Sequence, residues 1–318
     1  MGDWEPSGSL APFTTLKAGG PAERMLRVRS ADQMRRAASS LQSTGERATI
    51  LGWGSNVLPS DAGVPGSVLV NLSSSIVISG DGIVVADSGC GFQELFLKTA
   101  QAGLRGLEFA VGIPGTLGGA LVSNAGAYRS CVSEFLVSLE VVYEGRVQEV
   151  DPSFMQFSYR DSLLRALDAP QCAIVRVTMK LPAGDAKTIY DEARDYQRQR
   201  IGKQPPPASA GSFFKNVYSQ SLADSLDNLP ERLRSAGVVP AGYLIEKVGL
   251  KGARFGGAQL HWRHANFMTN VGGATATEIR RLAEHARARV REAYGVELEE
   301  EVLYLGDWSA WVETGKLS

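Results

Sequence analysis

The stretch GLRGLEFAVGIPGTLGGALVSNAGAY, Gly103 to Tyr128, decides how the rest of the chain is to be read. Six glycines fall between Gly106 and Gly126, with the apolar run Phe109–Val111 just ahead of the main cluster. Gly112-Ile113-Pro114-Gly115-Thr116 sets two glycines around a proline and follows them with a hydroxyl; Gly118-Gly119 and Asn124-Ala125-Gly126 come soon after. Glycine loses more backbone freedom on folding than any other residue. So many in one ordered run imply that something large approaches the main chain closely. Successive unshielded N–H groups in such turns form concave anion sites, which points to a loop cradling a phosphate-bearing cofactor. The plainer alternative is a set of tight turns joining strands.

Outward from this stretch, the chain reads as alternating strands and helices. Met25–Val28 is a strand. Ser30 and Gln33 form a capping pattern, and Met34, Ala37, Ala38 and Leu41 follow at helical spacing. Ala48–Leu51 is a second strand, so this span suits a crossover unit. It runs into Gly52-Trp53-Gly54-Ser55-Asn56, which suits wrapping a pyrophosphate but lacks the third glycine of a dinucleotide fingerprint. A simple bend is equally compatible. Val68–Val70, Ile76–Ile78 and Ile83–Ala86 are short strands, and Phe92–Ala102 is a helix stopped by Gly103. Leu136–Tyr143 and Arg146–Val150 flank Glu144-Gly145, a hairpin signal. Ala173–Leu181 is a strand and Asp185–Ile201 a polar helix. Lys203-Gln204-Pro205-Pro206-Pro207 is the clearest linker, since three prolines stop both helix and ladder. Beyond it, Thr275 and Glu278 make a capping box for a long amphipathic helix ending near Gly295, and Val302–Leu305 is a last strand. Residues 1–13 read as a loose arm.

Composition excludes several classes. The 318 residues are 44% hydrophobic and 21% charged with a formal net charge of -1, which fits a globular chain of roughly two domains and gives no basic surface for nucleic acid. No apolar run approaches the roughly 18 residues of a membrane span, and the N-terminus lacks a signal-peptide pattern. Three widely spaced cysteines, Cys90, Cys131 and Cys172, fit a reducing cytosol better than a disulfide framework or zinc site. The expected location is cytoplasmic.

Four further segments carry candidate chemistry. Phe157-Ser158-Tyr159-Arg160-Asp161-Ser162 offers an arginine for bidentate contact with a carboxylate, or an Arg–Asp pair capping a turn. In Gly211-Ser212-Phe213-Phe214-Lys215-Asn216, Ser212 could donate a proton; the residues alone favour a helix cap. His261 and His264 lack the further ligands a metal needs, which leaves a hydrogen-bonded role. His285 reads as a surface residue. Glu297, Glu299, Glu300 and Glu301 read as a solvated run in which alternation along an incoming strand turns one member inward.

Taken together, LGWGSN (Leu51–Asn56), GLEFAVGIPGTLGGALVSNAGAY (Gly106–Tyr128), FSYRDS (Phe157–Ser162), SAGSFFKN (Ser209–Asn216), HANFMTN (His264–Asn270) and ELEEEVLYLG (Glu297–Gly306) occur in one order. That series resembles the UDP-N-acetylenolpyruvoylglucosamine reductase family of flavin enzymes in bacterial peptidoglycan synthesis, over nearly all of residues 14–306. The resemblance implies an α+β chain: a two-subdomain FAD-binding region of the vanillyl-alcohol-oxidase type, residues 14–73 and 74–202, and a smaller α+β substrate-binding domain, 203–306, between an arm at 1–13 and a tail at 307–318. It implies non-covalent FAD, NADPH as hydride donor and UDP-N-acetylglucosamine enolpyruvate as substrate, with no nucleic acid, membrane or protein partner.

By the same resemblance Arg160 and Glu301 hold the substrate carboxylate and Ser212 supplies the proton. Gly52, Gly54, Ser55 and Asn56, with Gly112, Ile113, Pro114, Gly115, Thr116 and Gly119, form the FAD cradle, and Asn124 and Gly126 lie near the flavin. Tyr159, Lys203, Lys215 and Asn216 meet the substrate. Thr14, Arg129, Val217 and His261 depart from the family's usual residues, and the short Arg200-to-Ser212 link agrees with the type lacking a tyrosine-bearing loop insertion. Competing readings are a flavin oxidase of the same cofactor fold and a non-catalytic nucleotide-binding module.

Overall fold

The structure, a computed structural model, describes residues 4–166, 168–203, 205, 208–315 and 317. Gln204, Pro206 and Pro207 of the expected linker, and the Lys203 side chain, lie outside what is described. The chain is α+β and forms two compact units. One takes the chain up to Gly8, Ala22–Trp53 and Pro65–Gly202; the other takes Ser9–Pro21, Gly54–Val64 and the chain from Lys203 onward. The units therefore interleave in sequence between residues 9 and 64.

In the first unit, the helix Ala31–Ser43 and the strand Ala48–Leu51 form as the sequence predicts, while the strand expected at Met25–Val28 is longer and spans Pro21–Val28. Val64–Asn71 inserts between the two strands of that crossover and runs parallel to Ala48–Leu51. Residues 1–13 are not a loose arm where described: Glu5–Ser9 adds an edge strand beside Pro21–Val28. Arg27 pairs with Glu5 at 2.9 Å, and Arg24 lies 4.5 Å above the Trp4 ring. These contacts come from residues far along the chain, so the arm's local composition did not reveal them.

Met34, Ala38 and Leu41 of the first helix share one core with Leu26, Val28 and Leu69 and with Val142, Ala173 and Val175, so the helix is packed between two sheets. The second sheet orders Arg146–Val150, Leu136–Tyr143, Cys172–Lys180, Ile83–Asp87 and Ile76–Ile78, each pair antiparallel. Its core, with Phe92, Leu95, Phe96, Val141, Val177 and Met179, is separate from the first. Glu140 faces Arg176 while Val141 faces Ile174, so the strand bulges at Val175. That bulge positions the candidate site below.

In the second unit, Ser209–Ser212, Phe267–Asn270, Ala258–Leu260 and Arg254–Phe255 form a sheet in that order. The helix Ala276–Tyr294 shares its core through Ile279, Leu282, Ala283, Ala286 and Val290. Its capping box is present as predicted, and it ends at Gly295, whose φ is 67°. The Asp61 carboxylate accepts from Ala276 N and Thr277 N at 2.9 and 2.7 Å, an additional cap from 215 residues away. Val57–Pro59 pairs in parallel with Leu303–Leu305, a contact no local pattern announced. The tail is docked where described: Arg281 Nη1 donates to Val312 O at 3.0 Å and Gly315 N donates to Glu284 Oε1 at 2.6 Å. His285 is accordingly half-buried, with Nδ1 3.3 Å from Gly315 O, not a surface residue.

Two hairpins show how turn chemistry is used. Glu144 and Gly145 both have positive φ, 52° and 74°, with glycine at the second position as a primed turn prefers. Tyr128 and Arg129 link Gly126–Ala127 to Ser130–Cys131 with φ of 55° and 70°, but no glycine. Arg129 is exposed. Arg129→Gly should therefore raise stability by about 0.5 kcal/mol, the relief of left-handed strain less the added freedom of the unfolded chain. A thermal melt that moved down would refute that balance.

Candidate active site

The first unit brings several main-chain segments together around Ser88. The bulge at Val175 gives two carbonyls to one residue: Ser88 N donates to Val175 O at 3.0 Å, and Ser88 Oγ donates to Ile174 O at 2.6 Å. Buried Asn71 adds a bond from Nδ2 to Ser88 Oγ at 2.8 Å. Ser88 in turn holds the glycine-rich stretch, because Gly118 N donates to Ser88 O at 2.7 Å. Leu117 N donates to Cys90 O and Phe92 N to Gly115 O, both at 2.9 Å. A Cβ on Gly52 would lie 2.4 Å from Thr116 Oγ1, so Gly52 and the Gly112–Gly119 loop meet with no room for a side chain. Thr116 Oγ1 also accepts from Gly119 N at 3.2 Å. Gly112, Pro114 and Gly119 are exposed, and Gly112 and Gly115 have φ of 72° and 132°. Ile113 is half-buried and its N–H donates to Ala110 O.

Beside this loop lie polar atoms with unmet demand. Asn124 is buried with φ of 42°; its Nδ2 donates to Ser158 O at 2.9 Å, and its Oδ1 has no partner. Arg200 reaches under Gly112, where a Cβ would lie 3.2 Å from Arg200 Cδ. Its Nη2 donates to Phe109 O at 3.2 Å, while its buried Nε is unpartnered. Desolvation lowers the Arg200 pKa. Tyr128, stacked on Tyr196 at 3.7 Å, lies 5.6 Å from that guanidinium. Unsatisfied buried groups are rare in native proteins and call for a partner. Bare backbone, a half-buried cation and a spare acceptor fit a large anionic cofactor such as FAD.

Arg160 belongs to this unit. Its φ is 54°, and it donates to the carbonyls of Asn124 and Gly126, which ties the FSYRDS segment to the Asn124–Gly126 turn. A Cβ on buried Gly126 would lie 2.4 Å from Ser130 O. Arg160 also lies 5.3 Å above the half-exposed ring of Tyr159. Asp161 is 3.7 Å from Arg165.

The second unit carries the other candidates. Ser212 ends a strand, with Phe267 opposite it, so the helix-cap reading is corrected. The cap pattern misled because a serine after glycine also suits a bulged strand end; Gly211 has φ of 75°. The Ser212 hydroxyl has no hydrogen-bond partner among the described residues. Next to it, Glu301 N donates to Phe213 O and Lys215 N donates to Glu299 O, both at 2.8 Å. Ser212 and Glu301 thus ride on two paired backbone segments. Asn266 stitches the same strip, donating to Phe214 O at 2.8 Å and accepting from Phe214 N at 2.9 Å. The buried Lys215 ammonium pairs with Glu299 at 2.5 Å, and Asn216 Oδ1 accepts from Ala241 N. Of the Gly52–Asn56 motif, Gly54, Ser55 and Asn56 fall in this unit. A Cβ on Gly54 would lie 2.2 Å from Phe13 O. Asn56 Nδ2 donates to Glu301 O at 3.0 Å, a structural duty the motif did not reveal.

His261 and His264 accept backbone N–H groups at Nδ1, at 3.1 and 3.3 Å, and no cluster of metal-ligating side chains occurs among the described residues. Burial, then the Arg263 charge, lowers the His261 pKa. Burial pushes the Cys90 and Cys172 thiols up to about 12, so neither supplies a thiolate. No helix among the described residues is long and apolar enough to cross a membrane.

The family profile for the C-terminal domain of UDP-N-acetylenolpyruvoylglucosamine reductase matches residues 202–305, and that for an FAD binding domain matches residues 22–151. A UDP-N-acetylenolpyruvoylglucosamine reductase from Rubrobacter xylanophilus is 37% identical over 301 residues, 94% of each chain. This chain belongs to the UDP-N-acetylenolpyruvoylglucosamine reductase family. A second reductase of that name, from Nostoc punctiforme, is 35% identical over 94% of this chain and 85% of its own. The crystal structure of the Thermus caldophilus reductase superposes with a TM-score of 0.76 at 30% identity, covering 96% of this chain and all of that one.

Two parts of the candidate cofactor site carry little signal in the sequence. In Ser88-Gly89-Cys90-Gly91 the available signal is two glycines after a strand, of the same kind as in Gly52–Asn56. Arg200 sat in a helix read as merely polar, and nothing local marks it. Gly52→Ala should weaken retention of flavin at least about tenfold, or about 1.4 kcal/mol, with far-ultraviolet circular dichroism unchanged. Wild-type flavin absorbance in the purified variant would show that the Gly52–Thr116 contact is not part of the cradle.

Proposed function

We propose that this chain uses NADPH and non-covalently bound FAD to reduce UDP-N-acetylglucosamine enolpyruvate to UDP-N-acetylmuramate, a cytoplasmic step of peptidoglycan precursor synthesis. Family membership along the whole chain supports the activity. The observation that carries the residue assignment is the strip on which Ser212 and Glu301 are held by paired backbone. Residues 14–202 supply the cofactor region, 203–306 the substrate region.

When bound, FAD would supply the two-electron redox chemistry between NADPH and the enolpyruvyl group. The protein's share is to hold, orient and protonate. Gly52, Gly112–Thr116 and Gly119 offer main chain to the cofactor, with Gly54, Ser55 and Asn56 continuing the first turn. Asn124, Gly126 and Arg200 present an open acceptor, a close backbone approach and a cation. As negative charge grows on the substrate carboxylate, Arg160 provides fixed donors, an effect worth about 3 kcal/mol per donor. Glu301 holds the same end, as a neutral acid or through a bridging donor. Ser212 delivers the proton to C2, a role its hydroxyl permits, being without a hydrogen-bond partner among the described residues. Lys215 and Asn216 meet the diphosphate, with Tyr159 and Lys203 completing the substrate contacts. Glu299 holds the Lys215 ammonium in place beforehand.

An anaerobic titration in two stages tests this. The yellow colour should bleach with NADPH and return on adding the enolpyruvyl substrate; recovery only with oxygen would favour an oxidase. Ser212→Ala should leave the bleaching intact and slow the recovery by about 10²- to 10⁴-fold, the range of a lost general acid. Equal slowing of both stages would remove Ser212 from that role.

A further inference from the structure

The acidic run before the last strand holds an enclosed carboxylate, Glu300, that the assignment above does not use. Alternation along Glu299–Glu301 sends Glu300 to the face opposite its neighbours. There Tyr304 Oη donates to Glu300 Oε1 at 2.8 Å, and Arg287 Nη1 of the last helix lies 3.5 Å from the same oxygen. Arg280, one of the charges acting on Glu300, is enclosed by Tyr304, Trp308 and Trp311 at 4.4, 4.5 and 4.5 Å. Arg287 also pairs with Glu313 in the tail and lies 3.1 Å from Glu297. Burial raises the Glu300 pKa, opposed by Tyr304 and the two arginines. Enclosing a carboxylate this way is costly unless its partners are well placed.

The position of the cluster suggests what it does. Glu300 is the middle residue of a three-residue strip: Phe214 is its bridge partner, and the backbone on either side bonds to Phe213 and Lys215. We propose that Glu300 is a positioning residue, anchoring the strip to the last helix and tail so that Glu301 and the adjoining Ser212 hold their places. This rests on the roles given to Ser212 and Glu301 above. The docked tail joins the device through Glu313, Trp308 and Trp311.

The test compares Glu300→Ala, Glu300→Gln and Tyr304→Phe in the full-length flavin-loaded protein, by the two-stage titration and steady-state kinetics. Arg287 keeps Glu297 and Glu313, so the alanine variant should fold; flavin absorbance and a thermal melt check this, and Tyr304→Phe carries the test if it does not. Glu300→Ala should leave bleaching by NADPH unchanged and slow recovery by about 10²-fold, the usual effect of a displacement of about 1 Å. The loss should fall on kcat, with KM for the enolpyruvyl substrate nearly unchanged. Glu300→Gln keeps the acceptor for Tyr304 and should restore most of the rate; Tyr304→Phe should lie between the two. Wild-type recovery in Glu300→Ala, equal slowing of both stages, or a glutamine variant no better than alanine overturns the proposal. Ser212→Ala and Glu301→Gln separate the two ideas: if they slow recovery and Glu300→Ala does not, only the positioning role fails. If neither slows it, the role assignment itself fails.

Discussion

Gly118 and Ser88 meet through main chain alone, N–H to carbonyl at 2.7 Å, and the candidate cofactor site is built outward from that bond. The bond exists because Ser88 is pinned by two carbonyls of a bulged strand, and because Gly118 has no Cβ to press on Ser88. The same exclusion recurs at Gly52 against Thr116. Each glycine costs conformational entropy on folding. What the cost secures is a close approach of the glycine main chain, with no side chain of its own held between Gly118 and Ser88 or between Gly52 and Thr116. The bulge is thus a site-building element: without its extra residue, Ile174 and Val175 would not both turn a carbonyl toward Ser88.

The features legible in the sequence were those whose cause is local. The Thr275–Glu278 capping box, the glycine stop at Gly295 and the Glu144-Gly145 hairpin each depend on residues within one turn, and each formed as read. What stayed hidden needs a partner from elsewhere. Glu5–Ser9 becomes a strand only because Pro21–Val28 offers an edge, and Val57–Pro59 only because Leu303–Leu305 arrives beside it. Ser212 shows the same limit, since Gly-Ser opens helices and ends bulged strands equally well, and Phe267 decides between them.

The site was legible to a different degree. Its glycines announce themselves because their cost demands a reason. Its polar residues do not. Arg200 looks like any arginine of a charged helix until Phe109 O and Gly112 are seen beside it. Asn56 belongs to a recognisable turn, yet its amide serves the carbonyl of Glu301, 245 residues later. Such roles depend on which atoms end up buried, and burial at a given residue is a property of the assembled fold.

The four glutamates before the last strand bring these points together. As a run they look like a solvated face, and Glu297 and Glu299 are exposed. One residue of alternation separates Glu299, which holds the Lys215 ammonium, from Glu300, which is enclosed by tyrosine and arginine. A further residue reaches Glu301, whose main chain is held at both N–H and carbonyl. Three like residues therefore meet three different environments, set by a period-two backbone and by what lies on each side of it. Charge along the sequence carries no trace of that division. It arises because Phe213–Lys215 binds the strip through main-chain bonds on both sides of Glu300, which fixes which side chain turns in and which turn out.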